Sequence, residues 1–407
     1  MKKIIITGGL GYIGMELSKI YSGKSRHFNV TVIDRNFYSE RVSQLKRWGI
    51  NFKQTDILNE NTLKEHIFDA DLIYHLAGIT DVGSTIDDVN KKRDNEIKKV
   101  GVQGTRNIIK FSGENTKIIF PSTHVVFEGL NKVIKDIDEN VIPSPVLEYS
   151  KGKAQSEIDL MNCGKSYVIL RLGSLYGKSF DSMRLNIMPN LFSKMSALGQ
   201  NINIYSGGKQ LKSLVSVIDV ARCMEFVGEK ENITNEIFNC VNESLSVKEV
   251  ADICKKVNKN LEFIYTNDSI PNEGYTLSNS KIRNAGFVFQ YNLKNSIKEM
   301  IDEWTITKKI ESNEIIEKGK DDFIDDRGII SNYYFDDSIN MIGYVESKKE
   351  TLRGNHYHPI QTQKCLLIKG SYISITKDLS NNNSVVETRL IKEGDLSTIP
   401  PYVAHTM

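Results

Sequence analysis

Tyr149 and Lys153 stand four residues apart in the run Tyr149-Ser150-Lys151-Gly152-Lys153. On a helix that spacing puts both side chains on one face. An ammonium beside a phenol favours the phenolate and draws its pKa below the ordinary value of about 10. Such a pair suits a general acid or base for hydride exchange at a carbinol carbon. Ser122 and Thr123 lie in the apolar run Lys117 to Phe127, and the Thr123 hydroxyl can hold the same oxygen. A Tyr and a Lys at this spacing also decorate solvated helix faces, so the reading depends on what precedes them. A second group lies far downstream: His356 and His358 in Arg353-Gly354-Asn355-His356-Tyr357-His358, and His405 beyond them. On a strand, alternation places His356 and His358 on one side. A third histidine from another strand completes a three-nitrogen metal site with an open position. The guanidinium of Arg353 offers a bidentate fork for a diphosphate.

These residues need a frame, and the first fourteen residues supply it. A short apolar run, Ile4-Ile5-Ile6, leads into Gly8-Gly9-Leu10-Gly11-Tyr12-Ile13-Gly14 and then into helical periodicity through Leu17 and Ile20. Strand, glycine turn and helix in that order predict a dinucleotide-binding entry. Gly9 and Gly11 are expected at positive φ, where the chain can approach a pyrophosphate, and Gly14 lets helix and strand pack closely. The helix N-terminus then offers unpaired N–H groups and a positive dipole end to the phosphates, and Tyr12 and Ile13 within the glycine run are expected to contact the cofactor. Asn29 to Asp34 reads as a second strand, with Asp34 twenty positions after Gly14. At that spacing a carboxylate accepts hydrogen bonds from the adenosine ribose and repels a 2′-phosphate, which favours NAD. Arg35 next door leaves NADP open.

Further strands are expected over Ile50–Ile57, ending in Asp56-Ile57, and over Asp71–Leu76, followed by Ala77-Gly78. Small residues after Leu76 let a cofactor lie across the sheet edge. Val89 to Ser112 reads as one long helix, and Lys117 to Phe127 as a fifth strand. Strands alternating with helices predict an α/β fold with a doubly wound parallel sheet.

The chain has 407 residues, enough for two or more domains, and a net charge of +2 with Lys and acidic residues interleaved. No basic face for nucleic acid stands out. No run of about 18 apolar residues suggests a membrane span, and the N-terminus lacks a signal-peptide pattern. Five cysteines are scattered without a C-x-x-C pair. They argue against a disulfide framework and fit a cytoplasmic location.

Residues 1 to about 305 resemble an extended short-chain dehydrogenase/reductase of the nucleotide-sugar epimerase/dehydratase family. The resemblance rests on TGGLGYIG at 7–14, Asp34, Asp56, HLAG at 75–78, the Ser-Thr pair, YSKGK at 149–153 and RLGSLYG at 171–177. It implies that Tyr149 and Lys153 are catalytic, that Ser122 and Thr123 bind the reacting hydroxyl, and that Asp56 and Ile57 approach the adenine. It also implies a substrate-binding subdomain, mainly 178–215 and 235–290. There Asn186 contacts a sugar nucleotide, and Lys212 stands where an arginine usually grips the diphosphate. A homodimer is implied as well. Departures are Gly101-Val102-Gln103-Gly104-Thr105, without the family's asparagine, and Ser174 where Asn is usual. The dehydratase branch usually carries an Asp-Glu pair after the Thr; here His124-Val125 follows Thr123, which argues against dehydration, and the run Ser122 to Gly129 resembles 4-keto-sugar reductases more than most 4-epimerases, which leans toward reduction.

Residues 306–320 are charged and read as a linker. Beyond them, short apolar runs (Ile339–Val345, Lys364–Ile368, Tyr372–Ile375, Val385–Ile391) predict an all-β domain over 321–407. With its histidine motifs this domain resembles a cupin jelly-roll, although Gln363 stands where a cupin's glutamate ligand is usual. The Arg-Gly-x-His segment is similar to cupin-type sugar-nucleotide 3,5-epimerases and ketoisomerases. The resemblance implies further strands beyond Met407, so a truncated barrel is expected. Metal-free proton shuttling by His356 and His358, a metal held by His356, His358 and His405, and structural histidines all remain open.

The leading expectation is an NAD(P)-dependent nucleotide-sugar oxidoreductase acting at C4, coupled to cupin epimerisation or ketoisomerisation, in cell-surface polysaccharide biosynthesis. It resembles capsular-sugar proteins that join the two domains. The runner-up is an NAD-dependent 4-epimerase with a cupin accessory domain. The third is a non-catalytic dinucleotide sensor, which has no need of the intact Tyr149 and Lys153.

Overall fold

The computed structural model describes residues 1–80, 91–130, 133–179, 182–266, 274–305, 314–318, 320–325, 328–333, 339, 342–381 and 383–407. The chain forms two compact units, Met1–Ile301 and Asp302–Met407.

The first unit is built on a seven-stranded parallel sheet. Its strands in chain order are Lys2–Thr7 (β1), Phe28–Asp34 (β2), Asn51–Gln54 (β3), Leu72–His75 (β4), Lys117–Thr123 (β5), Tyr167–Leu172 (β6) and Glu236–Cys240 (β7). The spatial order β7-β6-β5-β4-β1-β2-β3 reverses direction between β1 and β4, which opens a crevice at their C-terminal ends. Ile4, Ile5 and Ile6 are all fully buried because helices cover both faces of the sheet. The helices that matter for the site are Tyr12–Tyr21 (α1), Lys91–Lys98 (α2), Gly104–Phe111 (α3), Glu148–Met161 (α4), Met188–Ala197 (α5) and Val217–Glu229 (α6).

Several boundaries differ from the sequence reading. The expected Ile50–Ile57 strand ends at Gln54, and the Asp56 carboxylate turns the chain by accepting from the Leu58 N–H at 2.9 Å. Val89 and Asn90 lie outside the described residues. The rest of that expected helix is broken by a π-turn at Lys99–Gln103, between α2 and α3. There the Thr105 hydroxyl donates to the Gly101 carbonyl (2.6 Å), a back-bond that competes with the helical ladder. The fifth strand stops at Thr123 because its hydroxyl caps a 3₁₀ turn over His124–Phe127. Glu236–Cys240, expected in the substrate subdomain, is instead the outermost strand of the central sheet, paired with β6.

In the second unit the strands are Ile315–Lys318 (β8), Lys320–Asp325 (β9), Gly328–Asn332 (β10), Gly354–His356 (β11), Gln363–Leu366 (β12), Ser371–Asp378 (β13), Glu387–Lys392 (β14), Asp395–Ile399 (β15) and Val403–Thr406 (β16). They form a three-stranded sheet β8-β15-β12, a hairpin β9-β10 and a four-stranded sheet β11-β16-β13-β14. Of the expected linker, 306–313 and 319 lie outside the described residues. Ile315–Lys318 is a strand, since its backbone pairs antiparallel with β15. Residues 342–345, expected to be strand, carry no strand pairing and are exposed. The burial of β13 alternates with period two, but its inward positions are polar, Ser374, Thr376 and Asp378, while Ile373 is 57% exposed.

Candidate functional site

The glycine turn is a bare-backbone cradle. Gly8, not Gly9 or Gly11, takes positive φ (62°), and an added Cβ there would fall 2.6 Å from the Ala77 Cα. Gly11 is extended, with φ −81° and ψ −179°. Gly9 must be small because Val32 of β2 stands 2.7 Å from where its Cβ would be, and Gly14 because Gly9 itself stands at 2.5 Å. Gly11 caps α1 without any side-chain hydrogen bond, so the first N–H groups of the helix keep their capacity for an anion. The cavity beside this turn has a volume of about 640 Å³, within the range of cofactor sites, about 300–1,000 Å³. A cradle that excludes side chains, an uncapped helix start and this volume fit a dinucleotide.

Gly8, Gly11, Tyr12, Ile13, Gly14, Asp34, Arg35, Asp56, Ile57, Leu76, Ala77 and Gly78 all line the cavity; Gly9 shapes the turn from behind. Asp34 accepts from the N–H groups of Leu10 (3.2 Å) and Asn36 (3.0 Å). Burial pushes its carboxyl upward, against those hydrogen bonds and the charges of Arg41 and Arg35. Arg35 pairs with Glu96 at 3.1 Å, and Arg41 donates to the Leu10 carbonyl at 2.7 Å. A 2′-phosphate at Asp34 would therefore meet a like charge and two engaged guanidinium groups. NAD(H) is expected to bind about tenfold or more tighter than NADP(H), since like-charge contacts cost several kcal/mol. Fluorescence titration of the two cofactors checks this, and tighter NADP(H) binding would contradict it.

His75 anchors the wall between β1 and β4. Its Nδ1 lies 2.9 Å from the Thr7 hydroxyl and its Nε2 3.1 Å from the Thr105 hydroxyl. Burial, helped by the Lys153 charge, drives its pKa down to about 3, so the ring is neutral.

Thr123, Tyr149 and Lys153 line the other end of the cavity. Tyr149 and Lys153 sit in the first two turns of α4, as the four-residue spacing requires. The expected electrostatics differ, however. The Lys153 ammonium donates to the Pro121 carbonyl at 2.7 Å and lies 4.4 Å from the Phe120 ring centroid. Burial lowers its pKa to about 8, with Glu157 opposing. The Tyr149 phenol is pushed up by burial; the influences drawing it down are the Arg184 charge and a hydrogen bond with Thr123, not Lys153.

Ser122 also departs from its expected role. Its hydroxyl donates to Glu157, which is buried with Arg171 beneath the site. Asn186 is exposed and does not line the cavity, whereas its neighbours Arg184 and Ile187 do. Lys212 lies outside the cavity lining as well. Its charge acts on His124, which burial and Lys212 together bring down to about 3. Sequence reasoning missed Arg184 and the buried Asn190, which joins the Tyr12 phenol (3.2 Å) to the Gly177 N–H (3.1 Å). Both sit in an irregular segment and in the first turn of α5, where no periodicity marks an inward residue.

In the second unit His356, His358 and His405 present ring nitrogens within 4.8 Å of one another. The route differs from the expected strand alternation: β11 ends at His356 and His358 follows it. His405 of β16 supplies the third ring. His358 and His405 are buried and His356 is exposed. Gln363 accompanies them, its Oε1 2.9 Å from the His358 Nε2. Arg353 is exposed, and its guanidinium donates to the Ser347 hydroxyl (2.7 Å) and the Glu346 carbonyl (2.8 Å).

A model of the NAD dependent epimerase/dehydratase family matches residues 4–240. The chain is 26% identical over 261 residues to the UDP-N-acetyl-alpha-D-glucosaminuronate decarboxylase of Bacillus cytotoxicus, covering 61% of this chain and 78% of that one. It is 25% identical over 334 residues to an Arabidopsis thaliana trifunctional UDP-glucose 4,6-dehydratase/UDP-4-keto-6-deoxy-D-glucose 3,5-epimerase/UDP-4-keto-L-rhamnose-reductase. That match covers 75% of this chain and spans 47% of the plant protein. The crystal structure of Bacillus cereus UDP-glucuronic acid 4-epimerase with UDP-glucuronic acid and NAD superposes with a TM-score of 0.63. It shares 21% identity, covering 74% of this chain and 98% of that chain, a likeness of fold. No described helix is long and apolar enough to cross a membrane.

Proposed function

This chain belongs to the NAD dependent epimerase/dehydratase family, and from that premise we propose that it reduces a 4-keto sugar nucleotide at C4. The observation that carries the reading is one cavity lined at one end by the glycine turn and Asp34, and at the other by Thr123, Tyr149 and Lys153. When bound, NADH would supply the hydride to C4 in reduction, and NAD⁺ would accept it in oxidation. Tyr149 gives a proton to the C4 oxygen in reduction and takes it in oxidation, while Thr123 holds that oxygen by a hydrogen bond. Lys153, one turn on from Tyr149, anchors α4 to the end of β5 through the Pro121 carbonyl. The UDP-sugar relatives support a nucleotide diphosphate sugar as substrate.

Dehydration is disfavoured by what stands beside Thr123. His124 is neutral, its Nε2 lies 3.2 Å from the Ser174 hydroxyl, and the carboxylates among the described lining residues, Asp34 and Asp56, stand at the end of β2 and after β3. A second reading, 4-epimerisation with retained NAD, is favoured by the epimerase relatives. Purified protein decides between them. NAD(P)H consumption with a 4-keto sugar nucleotide supports reduction. Stoichiometric bound NAD with turnover lacking added cofactor supports epimerisation.

For the second unit we propose a cupin-like domain that moves protons beside the keto group, contributing to a surface-polysaccharide sugar. The support is the convergence of His356, His358 and His405 in a unit with polar inward positions. Imidazoles titrate near neutrality and serve as both base and acid. With a 4-keto sugar nucleotide in deuterated water and no NAD(P)H, the protein is expected to wash deuterium into C3 or C5. His356→Ala should reduce the exchange about 10²-fold or more. Unchanged exchange in that variant would sink the assignment; loss of exchange on chelation would instead give the three histidines to a metal.

A further inference from the structure

Two segments that line the cavity from distant parts of the chain are joined directly. Thr80 stands in the chain that follows β4, Arg184 in the segment ahead of α5, and both line the cavity. The Arg184 guanidinium donates to the Thr80 hydroxyl at 2.6 Å and to the Thr80 carbonyl at 3.1 Å. The backbone of Arg184 is tied to the helix of the glycine turn. Its carbonyl accepts from the Asn190 side-chain amide at 2.8 Å, and the same amide donates to the Tyr12 hydroxyl at 3.2 Å. Tyr12 donates onward to the Gly177 carbonyl, and the Gly177 N–H donates to the Asn190 Oδ1 at 3.1 Å.

Followed from residue to residue, these links close into a circuit. The glycine turn leads from β1 into α1, where Tyr12 meets Asn190. Asn190 holds Arg184, Arg184 holds Thr80, and Thr80 leads back to β4, which pairs with β1. Gly8, Tyr12, Ala77, Thr80 and Arg184 on this circuit all line the one cavity. The links differ in strength. The β1–β4 side is sheet, and Tyr12 and Asn190 are buried, with three hydrogen bonds closing on themselves through Gly177. Thr80 and Arg184 are only half-buried, and one long side chain makes their joint. A solvated joint of that kind opens at a lower cost than a buried one.

We propose that Arg184 and Thr80 form a clasp that closes the cavity round NAD, and that its opening governs how fast the cofactor enters and leaves. The proposal needs cofactor binding alone and stands whichever sugar chemistry the site performs. Slow opening keeps one NAD through many turnovers; fast opening lets the cofactor exchange after each.

Stopped-flow fluorescence of NADH binding, and of its displacement by excess NAD⁺, tests this in wild type, T80V, R184Q, R184K and T80V/R184Q. T80V removes the hydroxyl and keeps the carbonyl, whereas R184Q removes both bonds of the guanidinium. R184Q is expected to raise the association and dissociation rate constants together, each about tenfold, the worth of a hydrogen bond to a charged group. The dissociation constant then stays nearly the same. T80V should give a smaller rise in both constants, and R184K should return part of the way to wild type. The double variant should match R184Q, because both changes act on one joint. Unchanged rate constants in R184Q overturn the proposal. So does faster dissociation with unchanged association, which would mean that Arg184 grips the cofactor itself. Effects of T80V and R184Q that multiply in the double variant overturn it as well. Should R184Q fail to fold, T80V decides alone: both rate constants rise, or the clasp is refuted.

Discussion

Tyr149→Phe is expected to lower kcat by about 10²–10⁴-fold, the usual worth of one positioned proton-transfer group, while cofactor affinity stays the same. Phenylalanine keeps the ring and removes only the hydroxyl. The cavity wall persists, and the glycine turn that would hold the dinucleotide lies at the other end of the cavity. What disappears is the only atom of this side chain that can exchange a proton with a substrate oxygen. Thr123 cannot take its place, because an aliphatic hydroxyl is a far weaker acid than a phenol. Stopped-flow hydride transfer together with cofactor titration separates the two effects. A variant retaining more than about a third of the wild-type rate, far above the 10²-fold floor, would remove Tyr149 from the chemistry.

Arg171→Met is expected to destabilise the first unit by about 3–5 kcal/mol, the cost of leaving a buried charge without its partner. The Arg171 Nη2 donates to the Glu157 Oε2 at 2.8 Å, and the two side chains are 3% and 2% exposed. Glu157 also accepts from the Ser122 hydroxyl, and Arg171 donates to the Glu139 carbonyl at 3.1 Å. Removing the guanidinium strands a carboxylate under the end of β5. The double variant Arg171→Met/Glu157→Leu should lose less than Arg171→Met alone, because no uncompensated charge remains. Denaturant midpoints at constant m-value measure both. Equal losses in the single and double variants would mean that packing, not charge, governs this site.

How far the residues foretold the molecule varies with the physics involved. The run Ile4-Ile5-Ile6 and the glycines after it are readable because burial on both faces and exclusion of Cβ atoms leave few other residue types possible. Even there the positive φ falls on Gly8, which packs against Ala77 in the chain after β4, a neighbour that only the fold brings there. Tyr149 and Lys153 are readable as a pair because helical spacing is local. Their electrostatics are not: the Lys153 ammonium is claimed by a carbonyl in β5, and the charge that acts on Tyr149 is that of Arg184, 35 positions on. Ser122 was out of reach for the same reason, since Glu157 and Arg171 meet it only in the folded core. In the second unit the strand period of β13 was visible, but the side that faces inward was not. Hydrophobic patterning assumes an apolar interior, and this sheet turns Ser374 and Thr376 inward.

The hydrogen bonds at His75 have a direction. The Ala77 N–H donates to the Thr7 hydroxyl at 3.1 Å, and the Thr105 hydroxyl spends its proton on the Gly101 carbonyl. Thr105 can therefore only accept from the imidazole, which must carry its proton on Nε2, and Thr7 must donate to Nδ1. The result is a one-way relay from the strand end at Ala77, through three side chains, to the π-turn. Each hydroxyl gives its proton onward, so no link can reverse alone. A ring in this position has a single tautomer and no room for a second proton. The relay behind the cavity lining at Ala77 thus keeps the same polarity at every pH where the imidazole is neutral, down to about 3.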